Sequence, residues 1–305
     1  GFINFEGGFN NTANIEKMLS SLHHRGPDDE SLYINKNHNI YLGHKRLSIL
    51  DLSEKGRQPM FSSNNQYIIV YNGEIYNHLE LRKKFFSNTK IWNSTSDTET
   101  LLECIQEIGI DNTLANLTGM FAFVLYDFEN KLIYLARDRF GEKPCYYSYN
   151  RKHLSFSSEI KSLLHLPFID KQIDKSSLFH QLNFSYIPTE KSIYSSIKNV
   201  NPGSYLSFQI INNQVIFNKK TTYWDALNVI KSSVNSKYKN SLVAEQEIES
   251  QLNNTITNQL SSDVEVGTFF SGGIDSTLVT LITKKINKSY LKAFTIGFED
   301  RFYDE

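Results

Sequence analysis

Apolar residues recur along the chain in two rhythms, and the rhythm decides the element. Dense runs of β-branched and aromatic residues predict strands at Gly1–Phe5, Tyr67–Tyr71, Phe121–Tyr126 and Leu132–Ala136. The last two are joined by the polar stretch Asp127–Lys131, as in a sheet meander. Helical spacing marks Ile15, Met18, Leu19 and Leu22, closed by Gly26-Pro27. It marks Leu101, Leu102, Ile105 and Ile108 again, behind Ser96-Asp97-Thr98-Glu99. Ser-x-x-Glu is a capping box, so structure accounts for Ser96 and Glu99, and Asp97 is left spare to receive a ligand ammonium. Ile40–Leu50 alternates irregularly around His44, Lys45 and Arg46. Pro202-Gly203-Ser204 predicts a turn between strands that close a first domain, 1–210. A linker over 211–240 and a second domain from 241 follow.

The second domain is marked by Val266–Phe270, a strand pattern that runs through Ser271-Gly272-Gly273 into a helical pattern carrying Leu278, Leu281, Ile282 and Ile286. A strand feeding a helix through glycines gathers backbone N–H groups and the positive end of the helix dipole at one spot. Ser271 and Ser276 add hydroxyl donors. Asp275 suits such an anion site only if a divalent cation accompanies the anion, which points to a magnesium-bound polyphosphate. No Gly-x-x-x-x-Gly-Lys-Ser/Thr loop occurs in the chain. Phe294–Phe298 reads as the next strand.

Composition narrows the class. With 305 residues, 40% of them apolar, the chain has material for about two cores. A net charge of −1 gives no electrostatic case for nucleic acid or an acidic membrane surface. Two cysteines, Cys104 and Cys145, form neither a disulfide framework nor a metal cluster and fit a reducing compartment. No apolar run reaches the length of a membrane span. A soluble cytoplasmic enzyme acting on small molecules is the expectation.

In the first domain, the fork of Arg46 suits a small carboxylate, although one arginine among apolar neighbours usually pairs structurally. Asn72-Gly73 after a dense strand is a hairpin signal. Followed by Glu74, it also fits a donor pair facing a developing oxyanion beside an amine-binding acid. His24 and Arg25 fit either a site or a loop held by its own hydrogen bonds.

Taken in order, His24-Arg25-Gly26-Pro27-Asp28, Arg46-Leu47-Ser48-Ile49, Asn72-Gly73-Glu74-Ile75-Tyr76-Asn77 and Ser96-Asp97-Thr98-Glu99 resemble the class II glutamine amidotransferase domain. With Ser271–Ser276, the chain resembles the glutamine-hydrolysing asparagine synthetases over nearly all its length. The resemblance implies an α+β first domain, an αββα sandwich of the N-terminal-nucleophile hydrolase type. An α/β adenine-nucleotide-binding domain would begin after it. It implies a ligase that takes amide nitrogen from glutamine, with ATP and Mg2+ as co-substrate, aspartate as acceptor, no tightly bound organic cofactor, and a homodimer in some members. Arg46, Leu47, Ser48, Ile49 and Leu50 would line the glutamine site, Arg46 holding the α-carboxylate. Asn72 and Gly73 would form the oxyanion hole, and Glu74 and Asp97 would hold the α-amino group. Phe270 and Ile296 would meet adenine through their backbone, Ser271, Gly272, Gly273 and Ser276 would cradle pyrophosphate, and Asp275 would ligate magnesium.

The resemblance departs in two places. The family's nucleophile is a cysteine after the initiator methionine, whose own α-amine serves as base. Gly1 offers an amine and no thiol. The chain also ends 29 residues after Ser276, inside the nucleotide-binding domain. It reads as an inactive fragment of a working enzyme. Relatives that lack the cysteine, such as β-lactam synthetase, or a non-catalytic glutamine-binding module would share much of this pattern.

Overall fold

The computed structural model describes residues 1–234, 238, 240–287 and 290–297, which divide into two compact units, Gly1–Ala226 and Leu227–Glu305. The first unit is built on two six-stranded antiparallel sheets. One runs in the order β10 (Lys198–Asn199), β8 (Tyr146–Tyr149), β9 (His153–Ser157), β1 (Phe2–Asn4), β3 (Ile40–Arg46), β2 (Asp29–Asn35). The other runs β12 (Gln214–Thr222), β11 (Ser204–Ile211), β7 (Leu132–Arg137), β6 (Gly119–Asp127), β5 (Tyr67–Ile75), β4 (Met60–Phe61).

The dense apolar runs follow from burial on both faces. Along β6, Ala122, Val124 and Tyr126 pack into the layer between the sheets, with Ile3, Ile40 and Leu42 from the opposite sheet. Phe121, Phe123 and Leu125 point the other way, onto Leu81 of α2 (His78–Phe85) and Leu101, Leu102 and Ile105 of α3 (Asp97–Asn116). On the outer face of the sheet that holds β1 and β3, Phe2 and Tyr41 meet Ile15 and Met18 of α1 (Asn11–Ser20) and Leu163 of α4 (Ile160–Leu163). Three apolar layers between four structural layers give the expected αββα sandwich.

Several expected boundaries move. The first strand is Phe2–Asn4, β3 stops at Arg46, and Asn72-Gly73 makes no turn. β5 runs through it to Ile75, in register with β6 from Tyr67↔Asp127 to Ile75↔Gly119. The close of the first domain at 210 is corrected most clearly. β11 ends in the two-residue turn Asn212-Asn213, both at positive φ (49° and 57°), and returns as β12 to Thr222. The paired asparagines supply the left-handed conformations that such a hairpin needs. The first part of the expected linker, 211–222, is therefore hairpin. The helix α5 (Lys175–Phe184) was not anticipated; much of its apolar content, including Phe179 and Leu182, is exposed.

The second unit holds most of α6 (Ala226–Ser233), then α7 (Ser241–Gln259), β13 (Gly267–Phe269), α8 (Ile274–Ile286) and β14 (Lys292–Phe294). β13 and β14 pair in parallel with α8 as the crossover, so the expected strand–loop–helix is present. The last strand lies earlier than Phe294–Phe298; Phe298 falls outside the described residues. Among the described residues, no helix is long and apolar enough to cross a membrane.

Candidate active site

Two adjoining cavities open where β3 of one sheet passes β5 of the other. The larger, about 210 Å3, is lined by Arg46, Leu47, Ile49, Leu50, Asn72 and Gly73, with Glu74 and Asp97 beside them. It thus gathers the expected glutamine-site residues except Ser48, whose backbone N–H donates to Asp28 Oδ2 at 2.8 Å. The smaller, about 110 Å3 and mostly apolar, shares Arg25, His44, Lys45, Tyr71 and Asn72 with it and reaches Gly1 and Cys145.

Asn72 sits at the junction. Its side-chain Nδ2 is buried and has no hydrogen-bond partner among the described residues. A buried donor left orphaned costs about 1–3 kcal/mol, and this one lines both cavities, where an acceptor can meet it. Gly73 has φ 157°, and a Cβ there would stand 2.1 Å from Met120 O and 2.7 Å from Phe121 Cα. Only glycine lets β5 and β6 approach this closely while carrying Asn72 to the cavity.

Glu74 is half-buried, and no hydrogen bond or ion pair holds its carboxylate among the described residues. Burial first, and the Asp97 charge second, raise its pKa; Lys143 opposes them. Asp97 is not the spare residue expected. It is 5% exposed and accepts hydrogen bonds from the Tyr71 hydroxyl (2.6 Å) and the Ile75 N–H (2.8 Å). Burial nevertheless leaves its pKa above the ordinary carboxylate value. Two carboxylates thus share one cavity, and a cation between them would relieve both. The capping box forms only by half: Ser96 Oγ accepts from the Glu99 N–H at 3.3 Å, but the Glu99 carboxylate turns to Asn93 and Ser94.

Arg46 also does more than expected. Its Nη1 donates to Ser53 O (2.9 Å) and its Nη2 to Leu50 O (3.1 Å) and Asp51 O. It therefore fastens the 47–53 loop around the cavity as well as facing it. His24 and Arg25 both bind Glu159, at 2.8 and 3.0 Å, so the turn between α1 and β2 is held by a partner far along the chain. Cys104 and Cys145 are buried, and burial raises both thiols to about 12. Both are packing residues, as anticipated.

Lys143 and His44 line the cavity although no spacing in the chain marks them for it. Lys143 is carried to the cavity by a loop folded around Asp138, whose carboxylate accepts from the N–H groups of Phe140, Glu142 and Lys143. The run Arg137–Pro144 showed its charge but not its direction. His44 Nε2 donates to Tyr71 O at 3.0 Å, the residue before Asn72, and joins the two sheets at the site. Burial, more than any other influence, lowers its pKa to about 4. Since this folded value lies below the free one, the contribution to stability is complete above pH ~6.5 and is lost as pH falls toward 4. We expect His44→Gln to remove a loss of order 3 kcal/mol over that window. Urea unfolding of both proteins at pH 7 and pH 4.5 would show equal slopes if His44 titrates normally.

In the second unit, Gly272 lies at φ 91° and lets the chain turn from β13 into α8. Ser276 Oγ receives the Ser271 N–H at 3.2 Å and lies 3.1 Å from Ser271 Oγ. Both hydroxyls and Asp275 are at the open N-terminus of α8, which no side chain caps. Phe270 is joined to the neighbouring strand by its N–H to Phe294 O at 2.8 Å, and Ile296 is exposed beyond that strand. Among the described residues, no group of three or more His, Cys, Asp or Glu could hold a metal alone. A single carboxylate beside a phosphate cradle still fits magnesium, which keeps waters and shares its coordination with phosphates.

The first unit is thus a two-sheet sandwich with an amide donor and two carboxylates at one cavity, and the second a strand–glycine-loop–helix unit. Comparison with known proteins agrees. The profile described as "Glutamine amidotransferase domain" matches residues 1–224, and that described as "Asparagine synthase" matches 247–305. The chain belongs to the glutamine amidotransferase domain family. A Methanocaldococcus jannaschii protein bearing the name of a glutamine-hydrolyzing asparagine synthetase is 37% identical over 95% of this chain and 58% of its own. The glutamine-hydrolyzing asparagine synthetase 1 of Bacillus subtilis is 33% identical over 95% of this chain and 44% of its own. The chain thus spans about half the length of these relatives. Among solved structures, the glutamine phosphoribosylpyrophosphate amidotransferase of B. subtilis has a TM-score of 0.52 at 16% identity, covering 99% of this chain and 66% of that one. This likeness speaks for the fold.

Proposed function

We propose that the first unit holds glutamine for removal of its amide nitrogen, and that it serves an ATP-dependent synthesis of asparagine from aspartate. The buried, unpartnered Asn72 Nδ2 carries this reading. A glutamine side-chain carbonyl beside Asn72 and Gly73 would find donors placed for the oxyanion that forms on attack. Its α-ammonium would lie between Glu74 and Asp97, and its α-carboxylate would take Arg46 N–H groups not spent on the 50–53 carbonyls. Burial holds both thiols of this chain protonated, so neither is ready to attack, and we assign these residues to binding and oxyanion stabilisation. In the second unit, Ser271, Gly272, Gly273 and Ser276 would cradle the pyrophosphate of ATP, with Asp275 on magnesium and the Phe270 and Ile296 backbone near adenine. Mg-ATP held there would supply the adenylyl group that activates the aspartate carboxylate, with pyrophosphate as leaving group.

Calorimetry with glutamine tests the first unit. The protein is expected to bind glutamine, and Glu74→Gln to weaken binding by about tenfold or more, since a charge-assisted contact is lost. Affinity that survives both Glu74→Gln and Arg46→Ala would place the glutamine site elsewhere.

A further inference from the structure

The sandwich is open at the end away from the site just described. β10 and β8 are two and four residues long, whereas β11 and β12 facing them run eight and nine. The longer hairpin leaves part of its inner face uncovered, and a cavity of about 520 Å3 results. That volume falls in the range of small-molecule sites. Its floor is aromatic and aliphatic: Tyr147, Tyr149, Leu206, Phe208 and Phe217. Tyr149 is fixed, its hydroxyl donating to Val215 O at 3.2 Å and accepting from the Phe217 N–H at 3.1 Å.

The rim is cationic. Lys191, Lys198 and Lys220 line it against one acid, Glu190. Lys220 gets there through a bulge. The register jumps from Ser207↔Lys219 to Phe208↔Phe217, which leaves Asn218 unmatched. Leu206 and Phe208 face inward, so their partners Lys220 and Phe217 do too; a regular strand would send one of them outward. Glu190, at φ 76° in the left-handed region that non-glycine residues rarely adopt, pairs with Lys220. The Lys198 ammonium has no side-chain hydrogen bond or ion pair among the described residues, and its charge, like that of Lys220, acts on Glu190.

From this geometry we infer that the open end of the sandwich is a second small-molecule site, which takes an organic anion with a flat apolar body. The body stacks on Tyr147, Phe208 and Phe217, and the anionic group replaces Glu190 at Lys220 and engages Lys198. Glu190 is then the internal counter-ion of the empty site.

The test uses 2-naphthoate as probe, with neutral 2-naphthamide as its comparator, titrated into the 305-residue protein and followed by backbone amide NMR. Naphthoate is expected to shift the signals of Lys198, Phe217 and Lys220. Lys198→Glu with Lys220→Glu should weaken it by about tenfold or more, while Glu190→Gln should tighten it severalfold by freeing Lys220. Far-ultraviolet circular dichroism of the variants controls for folding. Equal affinity for naphthamide, no shift at these residues, or weaker binding by Glu190→Gln would each overturn the proposal. Lys220 and the bulge would then serve only to guard the sheet edge.

Discussion

Gly73→Ala is expected to destabilise the first unit by about 3 kcal/mol or more and to abolish measurable glutamine binding. The added methyl would meet the Met120 carbonyl at 2.1 Å and Phe121 Cα at 2.7 Å, both backbone atoms of the neighbouring strand. No rotamer change can relieve such a contact, so β5 and β6 must separate. Nine matched residue pairs join these strands, and Asn72 is one residue from the clash. Separation thus costs sheet hydrogen bonds and also displaces the Asn72 amide proposed to meet glutamine. Gly7 is the control, because a Cβ there meets nothing within 4 Å; Gly7→Ala should stay within about 0.5 kcal/mol. Urea midpoints and glutamine titrations check both. A Gly73→Ala protein as stable as the Gly7→Ala one would mean that the strands have room to spare.

Asp97→Ala should cost about 3–5 kcal/mol, and Asp97→Asn clearly less. Removing the carboxylate leaves the Tyr71 hydroxyl and the Ile75 N–H unpaired in a buried place. Asparagine restores an acceptor but not the charge. Stability and ligand binding therefore separate: Asp97→Asn should recover much of the unfolding free energy while its glutamine affinity stays low. If affinity returns together with stability, Asp97 acts only as a strut, and Glu74 alone meets the ammonium.

Elements governed by local pattern were legible in the sequence. Both-face burial wrote β6 and β7 as apolar runs, and the loop Ser271–Ser276 declared itself through glycines, hydroxyls and the helix behind them. Readings failed where a long-range partner decides the conformation. Asn72-Gly73 is a hairpin pair by propensity, but pairing along the whole of β6 holds it straight. Asp97 looked spare because its partners, Tyr71 and Ile75, lie on another strand. Asn212-Asn213 carries a turn signal weaker than Asn-Gly, so the last hairpin reads as a linker in the sequence. The site itself was the more legible part, since most of its residues fall in three short motifs. Lys143 and His44 reach it through a loop fold and a sheet crossing that no spacing announces.

The hydrogen bond from His44 to the Tyr71 carbonyl ties a strand of one sheet to a strand of the other at the cavity. The cavity is thus a seam, and its width is set by how the two sheets lie on each other. A change in the layer between them, at Ile3 or at Val124, therefore alters the alignment of the residues proposed to hold glutamine. Ligand affinity and the packing between the sheets are then one inherited property, and selection on either acts on both.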